Sequence, residues 1–181
     1  MIPGGKGANQ AAAAARLGVE VEMLGRVGKD AFAEEMLDNM RHQGVGTDHI
    51  IRDTEAASGT AMIMVQADGD NSIVVAPGAN GRVNVEDVDR MEAAIRQARC
   101  LVLQFEIPLP VVRHAIALAD RAGVRVVLNP APAYAVDADL LHGVYCLVVN
   151  ETEAETLTGL SVDDLDEARR AAEALRQMQI P

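Results

Sequence analysis

The second half of the chain alternates short apolar runs with stretches whose apolar residues recur at helical spacing. Strands are predicted where the runs are apolar and β-branched, at 100–105, 124–128 and 145–149. Helices are predicted at 85–98, 111–122, 137–141 and 162–178. Because the strands are apolar on both faces, the pattern predicts a parallel sheet with helices on both sides, which is an α/β fold.

Residues 58–76 do not follow this alternation of strands and helices, and their pattern predicts a β-hairpin. Two apolar runs, 60–65 and 72–75, flank the polar turn sequence Asp68-Gly69-Asp70-Asn71. The first run is apolar on both faces, with Met62 and Met64 on one and Ala61, Ile63 and Val65 on the other. Such a hairpin needs cover on both sides, and the core, a ligand or another subunit could supply it.

The chain opens on the glycine-rich string PGGKGANQ, residues 3–10, which runs into an Ala-rich stretch. This string predicts a tight loop that opens onto a helix, where backbone N–H groups can face a polar ligand. It does not fit a phosphate-binding loop, because Lys6 is followed by Gly7 rather than Ser or Thr, nor the dinucleotide fingerprint, whose third glycine is absent. No strand precedes the loop, so we expect that the natural fold starts ahead of it.

The composition of the chain argues against some classes of binding partner. The 181 residues include 16 Lys and Arg and 27 Asp and Glu, which gives a formal net charge of −11 at pH 7. This charge argues against a nucleic-acid partner and against an anionic membrane surface. The chain has neither an apolar run of about 18 residues nor a secretory signal at its start, so we expect a cytoplasmic protein. Cys100 and Cys146 are isolated and abut apolar runs, which predicts buried, reduced thiols.

Seven stretches, taken in order, carry a resemblance to a known family. They are PGGKGANQ (3–10), VGKDAF (27–32), GTAMIMV (59–65), PGAN (77–80), QFEIP (104–108), LNPAPA (128–133) and NETEAETLTG (150–159). Together they resemble the ribokinase-like, or PfkB-type, carbohydrate kinases along essentially the whole chain. The resemblance implies a Rossmann-like fold in a single domain over 1–181. It also implies that the hairpin at about 58–76 is a partial β lid that closes over the sugar and often mediates homodimerisation.

Polar residues follow three successive predicted strands, namely Glu106, Asn129 and Asn150. Ligands gather at the carboxyl ends of parallel strands, so these residues predict one shared crevice, although ordinary turn chemistry explains them too. The resemblance implies that Glu106 hydrogen-bonds sugar hydroxyls, since a carboxylate is a good acceptor for them. It also implies that the sugar site is lined by Gly5, Lys6, Gly7, Ala8 and Asn9. The alternatives are a solvated charge for Lys6 and simple turn geometry for the glycines.

Asn150 and Glu153 form an N-x-x-E pattern just past the last predicted strand. Spacing alone favours a capping box, with Asn150 as N-cap and Glu153 as the third helical residue. The resemblance implies instead that Asn150 lies near the phosphates of ATP and that Glu153 helps to organise Mg²⁺ through its waters. Both roles can coexist, because a capping carboxylate still has oxygen to face water.

The resemblance implies an enzyme that transfers the γ-phosphoryl group of ATP to a ribose hydroxyl, with Mg²⁺ and a monovalent cation, K⁺. The family's catalytic Asp belongs to a G-A-G-D motif, which this sequence lacks and which the resemblance places beyond Pro181. We therefore expect an internal kinase fragment that is inactive alone. Two alternatives stay open: a kinase for another sugar or a nucleoside, and a non-catalytic sugar-binding or dimerisation module.

Overall fold

The structure, a computed structural model, describes residues 2–65 and 71–178. It divides into two compact units, Met1–Val83 and Asn84–Pro181. The sequence-based assignment of residues 1–181 to one domain stays a prediction. Within the described residues, no helix is both long enough and apolar enough to cross a membrane.

The first unit combines helices, short parallel strand pairs and one antiparallel hairpin. Its elements are α1 Lys6–Arg16, β1 Val21–Glu22, β2 Gly25–Val27, α2 Ala31–His42, β3 Val45–Gly46, β4 Ile50–Arg52, β5 Thr60–Val65, β6 Asn71–Ala76 and a 3-10 helix Gly78–Arg82. Strand β1 pairs in parallel with β3, and β2 pairs in parallel with β4. The hairpin consists of β5 and β6.

Helix α2 contributes three buried residues to the core of this unit. Its N-cap is Asp30, whose carboxylate accepts a hydrogen bond from the backbone N–H of Ala33 at 2.9 Å. The buried residues Ala33, Leu37 and Met40 recur at helical spacing and so form one inward face. Ala33 and Leu37 pack with Val27 of β2. The pairing of β2 with β4 and the packing of α2 against β2 therefore give this unit its own small core.

The two strands predicted at 60–65 and 72–75 are present as β5 and β6. They pair antiparallel from Thr60 opposite Ala76 to Val65 opposite Asn71. The predicted turn residues Asp68, Gly69 and Asp70 lie outside the described residues. Successive side chains of β5 are exposed on opposite faces, 67 % for Met62 and 60 % for Ile63. The hairpin therefore presents apolar side chains to solvent on both faces.

The second unit contains a parallel sheet and its helices. Its elements are α3 Val85–Arg90, α4 Glu92–Gln97, β7 Cys100–Gln104, α5 Leu109–Arg121, β8 Arg125–Asn129, α6 Ala138–Leu141, β9 Cys146–Leu147, α7 Glu151–Thr158 and α8 Leu165–Gln177. The sheet has the order β7-β8-β9, and both pairings are parallel. The parallel sheet predicted from the apolar runs is thus present, with two of the predicted helices, now α5 and α6, between its strands.

The predicted helix bounds differ from those in the structure, and for two of the helices the cause is clear. The helix predicted at 85–98 is divided into α3 and α4, because Met91 adopts φ −94° and ψ 2° and its N–H bonds to Val88 O, three residues back. The helix predicted from 162 begins at Leu165, because the Asp164 carboxylate caps it. Hydrophobic spacing located both regions, but local hydrogen bonds decide where each helix begins and ends.

The sheet of the second unit buries one face and exposes part of the other. Val126 and Leu128 of β8 are fully buried, whereas Val102 of β7 is 48 % exposed. Cys100, on the same face as Val102, is exposed, and Cys146 is half-buried. The prediction of buried thiols is therefore wrong for Cys100, because an apolar neighbourhood in sequence does not ensure that the strand face is covered.

Candidate functional site

The glycine-rich string at the start of the chain enters its helix earlier than predicted, because residues 3–5 are non-helical but Lys6 is already helical. Gly5 is the N-cap of α1 and has φ 100°, a conformation that favours glycine. Helix α1 begins at Lys6, and the N–H of Asn9 bonds to Gly5 O at 2.9 Å. Lys6, Gly7, Ala8 and Asn9 therefore occupy the first turn. The prediction of a loop over Gly5 to Ala8 is wrong in this respect, but a helix N-terminus keeps the backbone donors that were expected there.

The predicted sugar-binding carboxylate lies past the end of β7. Glu106 is half-buried and follows Phe105, whose N–H bonds to Ala131 O at 2.9 Å. The Phe105 ring stacks on Tyr134 with 6.3 Å between centroids. These contacts anchor the chain immediately before Glu106. Glu106 belongs to the second unit, whereas the first turn of α1 belongs to the first unit.

Polar side chains from two neighbouring strand ends meet around Glu153. Asn129, the last residue of β8, donates from Nδ2 to Glu153 Oε2 at 3.0 Å and to Val148 O at 2.9 Å. Asn150 and Glu153 form the predicted capping box: Asn150 N donates to Glu153 Oε2 at 3.0 Å, and Glu153 N donates to Asn150 Oδ1 at 2.8 Å. Three of the residues singled out from the sequence therefore form one cluster, called here the strand-end cluster: Asn129, Asn150 and Glu153.

The geometry of the strand-end cluster fixes the Glu153 carboxylate. Glu153 is only 7 % exposed, and one of its oxygens, Oε2, accepts both hydrogen bonds, from a backbone N–H and from an amide. A carboxylate held in this way is an oriented acceptor for water or a hard cation. Among the described residues, no group of three or more His, Cys, Asp and Glu side chains could hold a metal ion.

Two aspartates of the first unit accept more hydrogen bonds than the sequence predicted. Asp53 is buried, and its carboxylate accepts hydrogen bonds from the Glu55 N–H, from Arg82 Nε at 2.9 Å and from Arg26 Nη1 at 3.1 Å. The Glu55 N–H and then the two guanidinium groups lower the pKa of Asp53 to about 2. This aspartate ties β2, the end of β4 and the 3-10 helix together.

The second aspartate is Asp30, which does more than cap α2. Its carboxylate also accepts hydrogen bonds from the backbone N–H and the hydroxyl of Ser58, at 2.7 and 2.8 Å. The Ser58 N–H, followed by the Ala33 N–H, lowers the pKa of Asp30. The stretch VGKDAF contained a signal for the cap, an Asp ahead of a helix. The bond to Ser58 spans 28 residues, and no local pattern predicts it.

Comparison with known proteins assigns the chain to a family. The pfkB family carbohydrate kinases match residues 1–180. The deoxyribokinase of Salmonella typhi is 42% identical over 174 residues, which cover 95% of this chain and 56% of that protein. The ribokinase of Haemophilus influenzae is 44% identical over 169 residues, which cover 93% of this chain and 55% of that protein. The chain thus spans about half the length of the curated relatives it matches.

Solved structures agree on the fold. The structure of Arabidopsis thaliana ribokinase complexed with ribose and ATP superposes with a TM-score of 0.85 at 30% identity, over 97% of this chain and 57% of that chain. The crystal structure of Sa239 superposes with a TM-score of 0.92 at 39% identity, over 98% of this chain and 58% of that chain. The predicted Rossmann-like α/β fold is confirmed, and the chain belongs to the pfkB family of carbohydrate kinases.

Proposed function

We propose that the full protein carrying this chain is an ATP-dependent sugar kinase whose sugar substrate is D-ribose. The observation that carries the proposal is the strand-end cluster, a buried and oriented carboxylate at the carboxyl ends of parallel strands in a pfkB-family chain. Ribokinases of several organisms are about as similar to the chain as the deoxyribokinase. The choice between ribose and 2-deoxyribose is therefore the first question for an assay.

In this proposal, different residues bind the sugar and the nucleotide. Glu106 accepts hydrogen bonds from sugar hydroxyls, and the first turn of α1, with Gly5 as its cap, contributes backbone donors and the Asn9 amide. Asn150 faces the phosphates of ATP. Mg²⁺, when bound with its waters, would neutralise charge on those phosphates. Glu153 would accept hydrogen bonds from these waters, and Asn129 would hold the Glu153 carboxylate in place.

Other parts of the proposal rest on the family. The base that takes the proton from the sugar hydroxyl, the rest of the adenine site and the K⁺ site are expected outside these 181 residues, so we propose that the chain alone is inactive. We also propose a cytoplasmic homodimer in which hairpins of two copies pack together. The exposed apolar residues of β5 and β6 support that part of the proposal, because solvent-exposed apolar faces are energetically costly.

The experiment uses the full protein with ATP and Mg²⁺, and follows ADP release with ribose and with 2-deoxyribose. We expect a higher kcat/KM for ribose. Glu106→Gln and Asn9→Ala each weaken a hydrogen bond to a hydroxyl, so we expect the KM for ribose to rise about tenfold while the KM for ATP changes little. Glu151→Gln is the control, because Glu151 is exposed in the first turn of α7.

The outcomes separate the candidate functions. Equal effects on both KM values, or none, would contradict the assignment of Glu106 and Asn9 to the sugar. A preference for 2-deoxyribose would favour the activity named for the Salmonella relative. Ribose binding without ADP release would favour a sugar-binding module.

A further inference from the structure

The two ends of the β5–β6 hairpin are fastened to the rest of the first unit at one place. We call this place the hairpin root, residues 57–59 and 77–79, which lead into β5 and out of β6. The Ala79 N–H donates to Ala57 O at 2.8 Å, so the two ends are joined to each other. Ser58, between Ala57 and Gly59, is only 6 % exposed.

Ser58 connects this root to the first turn of α2. Both of its hydrogen-bond donors, the backbone N–H and the hydroxyl, are taken by the Asp30 carboxylate, at 2.7 and 2.8 Å. The hydroxyl oxygen also accepts a hydrogen bond from the Gly28 N–H at 3.0 Å. Asp30 divides its oxygens: Oδ1 accepts from Ala33 N and the Ser58 hydroxyl, whereas Oδ2 accepts from Ser58 N. One carboxylate therefore holds both the helix and the hairpin.

Close backbone approach keeps this joint compact. A Cβ atom added to Gly28 would lie 2.7 Å from the Ala57 carbonyl carbon, and one added to Gly59 would lie 2.6 Å from Pro77 O. Gly78 has φ +52°, and a Cβ there would lie 2.9 Å from Gly59 N. Backbone atoms cannot move aside as a flexible side chain can. The root therefore has little freedom to shift while the Asp30–Ser58 bonds are intact.

We propose that Asp30 is the positioning residue of the hairpin: through Ser58 it fixes the hairpin root to the first turn of α2. It thereby sets the orientation of the β5–β6 hairpin, which the family resemblance implies closes over the sugar. The anchoring stands on the contacts of the first unit alone. The effect on sugar binding rests on the proposed function.

One substitution separates the anchor from the cap. In Asp30→Asn the retained oxygen can still cap α2, because Asn is about as good an N-cap as Asp. The new amide nitrogen replaces Oδ2, however, so that two donors would face each other at the Ser58 N–H. Asp164→Asn is the matched control: Asp164 also caps a helix, but both of its hydrogen bonds, from the backbone N–H groups of Asp166 and Glu167, go to Oδ1. Both substitutions remove one negative charge from a helix N-terminus.

The measurement is hydrogen exchange of the backbone amides in the full protein, together with sugar kinetics. For Asp30→Asn we expect the root-proximal amides of β5 and β6 to exchange about tenfold faster, the scale set by losing one charge-assisted hydrogen bond. The amides of α2 should stay unchanged, and Asp164→Asn should alter neither the hairpin nor α2. The KM for ribose should rise more than the KM for ATP. Ser58→Ala leaves the Asp30 charge, the α2 cap and the Ser58 N–H bond in place and removes the two hydroxyl bonds, so it should speed hairpin exchange selectively even if Asp30→Asn folds poorly.

Unchanged hairpin exchange in both variants would overturn the proposal. Equal acceleration in α2 and in the hairpin would also overturn it, because the substitution would then destabilise the first unit as a whole rather than release the hairpin. If the hairpin exchanges faster but the wild-type protein does not phosphorylate any sugar, the anchor is supported and the proposed function fails.

Discussion

Glu153 is predicted to serve two roles that a single substitution can separate. Its Oε2 accepts one hydrogen bond from Asn150 N and one from Asn129 Nδ2, each at 3.0 Å. Glu153→Gln keeps an oxygen that can accept both bonds and removes only the charge. Glu153→Ala removes the acceptor altogether.

The size of the stability effect follows from these contacts. Hydrogen bonds to charged groups contribute about 1.5–3 kcal/mol each, so losing two costs about 3 kcal/mol at the lower end. In a full protein nearly twice as long as this chain, as the curated relatives are, about 1 kcal/mol lowers Tm by about 1–2 °C, so we expect Glu153→Ala to lower it by about 3–6 °C. For Glu153→Gln, which weakens the bonds without removing them, we expect a loss of about 1 kcal/mol or less.

Two assays on the full protein test the reasoning. Thermal unfolding should rank wild type, Gln and Ala in that order, with Gln close to wild type. If Glu153 also orients the waters of Mg²⁺, kcat of the Gln variant should fall by about 10–100-fold and the Mg²⁺ concentration for half-maximal rate should rise. Asp87→Asn, in the capping box of α3, should lower stability without changing the Mg²⁺ dependence. Normal activity of a stable Gln variant would refute the metal role, and equal destabilisation by Gln and Ala would refute the account of the cap.

Three further predictions concern other parts of the chain. Asn129→Leu should leave the capping box intact but remove one of the two hydrogen bonds that orient the Glu153 carboxylate, so the Mg²⁺ requirement should rise while Tm falls less than in Glu153→Ala; an unchanged requirement would speak against positioning by Asn129. Asp53 has a pKa of about 2 in the folded protein against an ordinary 3.8. Its stabilisation is therefore complete above about pH 4 and is lost as the pH falls towards 2, so Tm in that window should depend on pH less steeply in Asp53→Asn than in wild type. Ile73→Lys on the exposed hairpin should shift sedimentation from dimer to monomer, and a wild-type protein that sediments as a monomer would contradict dimerisation.

The sequence predicted most of the second unit because its signals are local. Strands β7 and β8 begin and end within one residue of the apolar runs that predicted them, and α5 follows its apolar spacing. The capping box at Asn150 was also predictable, since both of its hydrogen bonds join residues three positions apart. Patterns of this kind depend on neighbours along the chain and not on how the sheet is ordered.

Other features depended on contacts distant in sequence. The bond from Asn129 to Glu153 requires that β8 and β9 be neighbours, which the polar residues at strand ends suggest but do not specify. The exposure of Cys100 depends on whether anything covers that face of the sheet. The first turn of α1 contains Gly7, a poor helix former, so helix propensity favoured a loop there. In the structure the helix that contains the Ala-rich stretch already begins at Lys6.

The capping box has a consequence for how the sequences of relatives are interpreted. Asn150 and Glu153 begin α7 through reciprocal hydrogen bonds, whatever chemistry takes place nearby. A descendant that had lost phosphoryl transfer would still be under selection to keep this pair, because its replacement would weaken the fold. The presence of N-x-x-E in a distant relative is therefore weak evidence that the relative is an active enzyme. Its loss would require that another cap has evolved for the helix.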